Sequence, residues 1–253
     1  MSVRFNPELA GVHSDLAGEL FLWGRYEEGW AHFRRAMELE PDEDSHRSAL
    51  LFSVHYQPGL PRKDVADLHR KFGLHHETPL RAGWRDHDND PDPERPLRVG
   101  FVSGDFRMHP VGYFMAGLLS AMDPTRFRLH AYANQRQHDA LMERIRPHFA
   151  VWREVAKLDD DALAECIRAD GIDILIDLSG HTADNRLLVF ARRPAPVQVS
   201  YLGYPDTTGL TAMGYLLGDR WMLPETEVDL RTEQAWWLPE TALCFTPRTC
   251  RCL

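Results

Sequence analysis

His109 is the residue of this sequence best suited to chemistry. It precedes Pro110 in the stretch GDFRMHPVG, which lies between two apolar runs, LRVGFVS and YFMAGLL. An unperturbed imidazole has a pKa near 6.5, so it can accept or release a proton at neutral pH. A proline restricts the residue before it to extended backbone, which helps to hold this histidine in place. The alternative is that His109 caps the following helix or is hydrogen-bonded within its loop.

A second polar loop follows another apolar run in the same way. In SGHTADNR, after IDILIDL, Gly180 allows a sharp turn just before His181. Asp177 precedes His181 by four residues. It either takes part in a site or faces the core and holds the loop.

A third loop, LGYPDTTG, follows the run PVQVSY. The hydroxyls of Thr207 and Thr208 and the amide of Gly209 suit a phosphate or sugar oxygen, and a simple turn is the alternative. The sequence has no G-x-G-x-x-G after its first predicted strand, no Walker A motif, no G-x-S-x-G and no H-E-x-x-H. A dinucleotide site of the usual type is therefore disfavoured, and no metal site is predicted.

The elements that would position these loops are strands of a parallel sheet. From Leu97 onward, short apolar runs such as LRVGFVS and IDILIDLSG alternate with helical patterns such as VGYFMAGLLSAM and HDALMERIRPHF. Continuous apolar runs suit parallel strands covered on both faces, and the alternation predicts a doubly wound α/β sheet. Ligands of such sheets bind beyond the carboxyl ends of the strands. The three loops are therefore predicted to gather in one crevice.

Residues 1–80 are predicted to form a helical segment. Within residues 1–45, apolar and small residues recur at helical spacing on two helices, which WGRYEEG separates and Pro41 closes. This pattern resembles one tetratricopeptide repeat, whose period is about 34 residues, and a plain helical hairpin is the alternative. A single repeat cannot bury its own face, so it must cap a longer array or pack against later parts of the chain. The charged, proline-rich residues 81–96 are predicted to be a linker or surface strap before a lobe at 97–247.

The composition is that of a globular protein with a sizeable core. The 253 residues are 43% hydrophobic and 26% charged. The net charge of -9 argues against general attraction to nucleic acid or anionic membranes. No apolar run reaches the roughly 18 residues of a membrane span, and the start, MSVRFNPELA, lacks a signal-peptide core. Because the four cysteines form no secreted-type framework either, we expect a cytoplasmic location.

Taken together and in this order, the three loops resemble the catalytic region of the protein O-linked N-acetylglucosamine (O-GlcNAc) transferases. The resemblance rests on LRVGFVSGDFRMHPVGYF, on DGIDILIDLSGHTADNRLLVFARRPAPVQVSYLGYPDTTG and on MGYLLGDRWMLP. It extends from about residue 10 to residue 247, and the helical segment is similar to the repeat arrays that precede the catalytic region in that family.

The resemblance implies a GT-B fold, with two Rossmann-like lobes and the active site between them. It implies inverting transfer of N-acetylglucosamine from UDP-GlcNAc to Ser or Thr of acceptor proteins, with no cofactor or metal required and with protein partners bound through the helical segment. His109 matches the family's H-P histidine, which makes it the implied catalytic residue. The implied residues of the sugar and acceptor cleft are His181, Thr182, Tyr204, Pro205, Thr207, Thr208 and Gly209, with Asp177 as a further candidate.

The resemblance also implies a second lobe, with most of the UDP-sugar site, beyond about residue 250. The tail at 248–253 departs from the family pattern, and PRTCRCL, rewritten in a shifted frame with GC-rich codons, gives PDLPVP. We therefore expect a frameshifted or truncated gene and little transferase activity from this chain alone. The alternatives are a non-catalytic protein-interaction module, or a related glycosyltransferase with another nucleotide sugar or acceptor.

Overall fold

The first part of the chain is helical. The computed structural model describes residues 8–92 and 94–245, so the predicted tail at 248–253 lies outside the described residues. The helices of this part are α1 (Ala10–Leu22), α2 (Tyr26–Leu39), α3 (Asp44–Ser53) and α4 (Arg62–Glu77). Helices α1 and α2 form a close hairpin because Gly29 has no side chain, and a Cβ there would lie 2.5 Å from the ring of Phe21. The predicted helical segment is confirmed, and its assignment as a tetratricopeptide repeat stays a prediction.

The hairpin packs against the next two helices of the chain. Phe21 and Phe33 share an apolar core with Leu50 of α3 and Val65 of α4. All four side chains are buried. The repeat-like unit therefore covers its apolar face by leaning on the rest of the chain, which is one of the two predicted solutions.

The predicted linker at 81–96 lies along the lobe as a strap. It starts in a 3₁₀ helix, Thr78–Gly83. The indole Nε1 of Trp84 then donates to the carbonyl oxygen of Ala191 at 2.9 Å. Further along, Arg95 pairs with Asp173 at 2.6 Å. These contacts attach the strap to the lobe at both of its ends.

The lobe is built on a seven-stranded sheet of order β3-β2-β1-β4-β5-β6-β7, in which all neighbouring strands pair in parallel. The strands are β1 (Leu97–Ser103), β2 (Phe127–Ala133), β3 (Val151–Glu154), β4 (Ile174–Asp177), β5 (Val197–Tyr201), β6 (Tyr215–Gly218) and β7 (Gln234–Trp237). The helices are α5 (Pro110–Ala121), α6 (Ala140–Ile145), α7 (Asp160–Ala169) and α8 (Leu187–Ala191). The predicted doubly wound α/β fold is confirmed.

Both faces of the sheet are covered by apolar side chains. Phe101 of β1 packs in the core that α5 and α6 cover, and the next residue, Val102, packs in the core that α7 covers. Successive side chains of a strand point to opposite faces, which explains this division. The core that α7 covers also includes Leu51 of α3 and Phe72 of α4. The helical segment and the lobe therefore share one core.

Three elements differ from the sequence prediction. The helix predicted over HDALMERIRPHF ends at Ile145 and continues as a 3₁₀ turn, Arg146–His148. Pro147 has no N–H to extend the α-helical hydrogen bonds, which explains the early end. Neither α8 nor β7 was predicted, and both are short.

Candidate functional site

Three loops leave the carboxyl ends of the neighbouring strands β1, β4 and β5 at one edge of the sheet. A Cβ added to Gly104, after β1, would lie 2.9 Å from the Cβ of Asp184, after β4. A Cβ added to Gly203, after β5, would lie 2.0 Å from the carbonyl oxygen of Leu178. Strand β1 lies where the winding direction reverses, and ligands of open α/β sheets bind at such a point. The predicted loops do lie together at this edge.

The loop after β1, residues 104–109, carries His109 and is called the rim loop below. His109 is the N-cap of α5, and its Nδ1 lies 3.4 Å from the amide of Val111 and 3.5 Å from Oδ2 of Asp105. Its side chain is 36% exposed. Among residues 8–92 and 94–245, no group hydrogen-bonds its Nε2. This nitrogen is therefore open to a ligand.

The two neighbours of His109 Nδ1 favour opposite tautomers. The Val111 amide donates, so it favours an unprotonated Nδ1, whereas the Asp105 carboxylate accepts, so it favours a protonated one. With the proton on Nδ1, the lone pair of the ring lies on the open Nε2. A histidine whose far nitrogen faces a carboxylate is the arrangement that general bases use. Both predicted roles of His109, as a helix cap and as a base, are compatible with this geometry.

Hydrogen bonds from outside the rim loop hold it in shape. The Asp139 carboxylate, at the N-terminus of α6, accepts from the Met108 amide at 2.6 Å and from the Leu141 amide at 2.9 Å. Desolvation alone would raise the pKa of Asp139, but these backbone hydrogen bonds outweigh it and lower that pKa. Asp139 was not among the predicted residues, although an aspartate just before a helical pattern is a recognisable N-cap signal.

His181 is buried, with both ring nitrogens in contact with protein. Its Nε2 lies 2.9 Å from the carbonyl oxygen of Thr208, which can only accept, so Nε2 carries the proton. Its Nδ1 then accepts from the hydroxyl of Ser48, in α3, at 3.1 Å. Burial lowers the pKa of His181 well below its usual value. This histidine is thus neutral and connects the helical segment to the lobe.

Tyr204 makes the same kind of connection. Its hydroxyl lies 2.7 Å from Nε2 of His69 and 2.8 Å from Nε2 of His55. His69 donates from Nδ1 to the carbonyl oxygen of Val65 at 2.7 Å, so its Nε2 is an acceptor for the Tyr204 hydroxyl, which also lies 3.1 Å from the carbonyl oxygen of Leu51. Burial lowers the pKa of His69 to about 4. We call His181 and residues 204–209, with the α3 and α4 side chains that contact them, the joint.

The threonines of the joint are buried and bonded to Glu233, just before β7. The Thr207 hydroxyl donates to one Glu233 carboxylate oxygen at 2.6 Å, and the amide and hydroxyl of Thr208 donate to the other, the amide at 2.7 Å. Burial raises the pKa of Glu233. Gly209 has a φ of 77°, and a Cβ on it would lie 2.0 Å from the carbonyl oxygen of His69. Glu233 was not among the predicted site residues, and no local pattern in the sequence indicates its contact with the two threonines.

The remaining predicted residues lie in the turns around the joint. Asp177, fully buried at the end of β4, accepts from the Gly180 amide and the Ser200 hydroxyl, each at 2.8 Å, so it holds the loop. The Thr182 hydroxyl donates to the carbonyl oxygen of Ser179 at 2.8 Å. Pro205 is exposed. A role for these residues and for the joint in binding sugar or acceptor stays a prediction, which the observed contacts do not require.

A cavity of about 760 Å³ lies between the helical segment and the loop after β4. Helices α1 and α3 form one side, with the half-exposed aromatic rings of Phe52 and Tyr56, and residues 181–185 form the other. The acidic side chains of Asp15 and Asp184 also line it. Its size and mixed lining suit a segment of polypeptide.

Neither a metal centre nor a membrane span is found in the described part of the chain. No cluster of three or more His, Cys, Asp or Glu side chains there is arranged to hold a metal ion. No helix there combines the length and apolar character needed to cross a bilayer.

The model of glycosyl transferase family 41 matches residues 41–246 of this chain. A solved structure titled as the K341M mutant of the Thermobaculum terrenum O-GlcNAc transferase matches with a TM-score of 0.90 and 39% identity. That match covers 98% of this chain and 48% of the other.

Curated relatives carry similar names. The chain is 36% identical over 215 residues to an Arabidopsis thaliana protein named probable UDP-N-acetylglucosamine–peptide N-acetylglucosaminyltransferase SPINDLY, covering 83% of this chain and 23% of that protein. It is 35% identical over 150 residues to the UDP-N-acetylglucosamine–peptide N-acetylglucosaminyltransferase of Caenorhabditis elegans, covering 57% of this chain and 13% of that protein. The chain thus spans about a quarter or less of these curated relatives.

Proposed function

The chain belongs to glycosyl transferase family 41, and we propose that it forms the acceptor side of a site that transfers N-acetylglucosamine from UDP-GlcNAc to Ser or Thr of proteins. The observation that carries the proposal is the position of His109. It lies at the switch point of a parallel sheet, with Nε2 open and Asp105 behind Nδ1. The relatives' names supply the donor and the peptide acceptor.

The proposed reaction is a single displacement at the anomeric carbon. The acceptor hydroxyl oxygen forms the new bond to that carbon while the bond to the UDP oxygen breaks, so the configuration inverts. The hydroxyl proton passes to His109 Nε2, and UDP leaves with the bonding electron pair. A positioned base contributes about 10²–10⁴-fold to such a step. Neither a metal nor a cofactor is needed to balance this step.

The acceptor polypeptide is proposed to lie in the cavity between the helical segment and residues 181–185. The cavity is bordered on one side by the loop after β4, which touches the rim loop through Asp184 and Gly104. A segment held there can reach the sheet edge near His109. The joint forms the floor of this arrangement, because it fixes the helical segment on the lobe through His181 and Tyr204.

The donor is proposed to be held chiefly by a second lobe outside this chain. The pyrophosphate of UDP-GlcNAc needs positive charge as it departs. The Thermobaculum terrenum structure is about twice the length that this chain covers. We therefore expect this chain alone to transfer little sugar.

A second candidate function is protein binding without catalysis. Trp221, after β6, is 90% exposed, and Trp236 of β7 is 57% exposed. In this function the two indoles would belong to one apolar patch that another protein covers, since contiguous patches mark such surfaces. The catalytic proposal is favoured because it also accounts for the geometry at His109.

The test is the activity of a hybrid enzyme. In the Thermobaculum terrenum O-GlcNAc transferase, with its native lysine at 341, the matching half is replaced by this chain. The catalytic proposal predicts that the folded hybrid transfers radiolabelled N-acetylglucosamine from UDP-GlcNAc to a serine-containing protein, while this chain alone transfers little. A hybrid that unfolds cooperatively and binds UDP, yet transfers nothing, would favour the binding function.

A further inference from the structure

A second cavity, of about 500 Å³, opens at the carboxyl ends of β1 and β2. Its lining comes from the rim loop, from the loop after β2 and from Ala156, Asp184 and Arg186. It adjoins the His109 site, because Gly104 and Arg107 line it and the Arg107 carbonyl oxygen accepts from the His109 amide at 2.7 Å. None of the predicted site residues lines this cavity.

Three arginines line the cavity although the chain as a whole has a net charge of -9. They are Arg107, Arg136 and Arg186, of which Arg107 pairs with Asp105 at 2.9 Å, and the carboxylate of Asp184 also lines the cavity. Arg186 is a fixed part of the wall, since it donates to Asn134 at 3.2 Å and lies 2.8 Å from Asp160. Because Arg107 and Arg186 each have a carboxylate partner, Arg136 is the arginine of this lining whose charge can attract an anionic group.

Two polar groups of this cavity lack partners. Arg136 is exposed, and no ion pair or hydrogen bond of its side chain is found in the described part of the chain. The amide Nε2 of Gln135 donates to the carbonyl oxygen of Phe106 at 3.3 Å, but its Oε1 is buried without a donor. A buried acceptor without a partner is costly, so a ligand that donates to it gains affinity. The complementary ligand thus carries both an anion and an N–H.

The cavity is connected to the proposed path of the acceptor through Asp184. This residue lines both the 760 Å³ cavity and the 500 Å³ cavity. It holds a left-handed backbone with φ of 55°, and its carbonyl oxygen accepts from Asn134 Nδ2 at 2.9 Å. A polypeptide that extended from the larger cavity over Asp184 would enter the smaller one.

We propose that the 500 Å³ cavity is a specificity subsite that binds an acidic side chain of the acceptor polypeptide near the modified Ser or Thr. The carboxylate pairs with Arg136, and a backbone N–H of the acceptor donates to Gln135 Oε1. This inference rests on the proposed function, and it adds a preference for acidic acceptors.

The test measures peptide binding to the 253-residue chain, without any sugar transfer. Two fluorescein-labelled peptides contain one Ser and differ only in having Glu or Gln two positions from it. Fluorescence anisotropy gives their affinities for the wild type, for Arg136→Gln and for the control Arg128→Gln. Arg128 is also an exposed arginine, and it lies near the start of β2, at the opposite end of the strand from the cavity.

The subsite predicts that the wild type binds the Glu peptide about tenfold more tightly than the Gln peptide. This is the ratio expected from one charge-assisted contact. Arg136→Gln should abolish that ratio, and Arg128→Gln should keep it. An equal affinity for both peptides, a ratio unchanged in Arg136→Gln, or no binding of either peptide at millimolar concentration would overturn the proposal. So would UDP binding that Arg136→Gln weakens, which would assign the cavity to the donor phosphates. A Glu preference in this chain, together with a folded hybrid that binds UDP and transfers no sugar, would refute the catalytic function and leave the cavity as a binding site for acidic peptides.

Discussion

The rim loop and the joint have similar sequence patterns, but the rim loop leaves its histidine accessible and the joint buries its polar side chains. In each, a histidine or hydroxyl residue comes after a buried parallel strand at the same sheet edge. In the rim loop, His109 keeps an open Nε2 and long contacts of 3.4 and 3.5 Å to its neighbours. In the joint, His181 and Thr208 are buried and their polar groups are bonded within the chain. Position after a strand therefore does not by itself make a residue available to a substrate.

The difference arises from the elements that pack above each loop. Helix α4 lies directly on the joint, where Gly73 faces Gly209 so closely that a Cβ on Gly73 would lie 1.9 Å from the Gly209 carbonyl oxygen. Within residues 8–92 and 94–245, the contacts found around the rim loop come from its own lobe, for example from Gln135, Asp139 and Asp184. Changes in the joint should therefore alter stability, and changes in the rim loop should alter function. Four predictions test this contrast, from the largest expected effect on stability to the smallest.

The largest effect is expected from Gly209→Ala. The new Cβ would meet the His69 carbonyl oxygen at 2.0 Å, and the φ of 77° disfavours any side chain. Loss of about 3 kcal/mol or more in the free energy of unfolding is expected, measured by urea denaturation. The control is Gly83→Ala, where nothing lies within 4 Å of the added Cβ. Equal stability of the two variants would show that α4 does not press on the joint.

A pH dependence of stability is expected from His69. Its pKa is lowered to about 4 by burial, so between about pH 6.5 and 4 the unfolded chain binds a proton that the folded chain does not. Stability is therefore fully present above pH 6.5 and falls as the pH drops toward 4, by about 3 kcal/mol at most for this group. Burial raises the pKa values of Glu233 and Asp177. These two groups therefore lower stability as the pH rises above their pKa values in the unfolded chain, which is the opposite pH dependence.

The measurement that isolates His69 is the difference in unfolding free energy between wild type and His69→Gln at several pH values. That difference should shrink as the pH falls from 7 to 4. A difference that stays constant would mean that the pKa of His69 is the same in the folded and unfolded chains, against its burial and hydrogen-bond arrangement in the joint.

An intermediate effect is expected from Glu233→Gln. The carboxylate accepts from Thr207 and twice from Thr208, and the amide that replaces it turns one acceptor into a donor facing a threonine hydroxyl or amide. A loss of about 1–3 kcal/mol is expected in the unfolding free energy. Glu240→Gln, at an exposed glutamate, is the matched control and should change it little. Similar values for the two variants would argue that the joint tolerates loss of this carboxylate.

The fold was more predictable from the sequence than the site. Strands such as β1 and β4 are continuous apolar runs, so their type and their common edge are apparent from local pattern. The burial of Tyr204 is not apparent from any local pattern, because its hydroxyl contacts His69, which lies 135 positions earlier in the chain. Glu233 is likewise paired with threonines 25 and 26 positions away. Contacts of that range depend on how the helical segment and the last strand pack, which no local pattern encodes.

The smallest effect on stability and the largest on function are expected at His109, and this contrast is the most direct test of the account. In the hybrid enzyme, His109→Ala should lower the rate of sugar transfer by about 10²–10⁴-fold, because the base is lost. Its unfolding free energy should stay within about 1 kcal/mol of the unsubstituted hybrid, since only a weak helix cap is removed. Tyr204→Phe in the same hybrid should lower stability more than His109→Ala and retain most of the transfer rate where it is folded. If His109→Ala transferred sugar at the unsubstituted rate, the rim loop would not carry the base, and the proposed division between the two loops would be wrong.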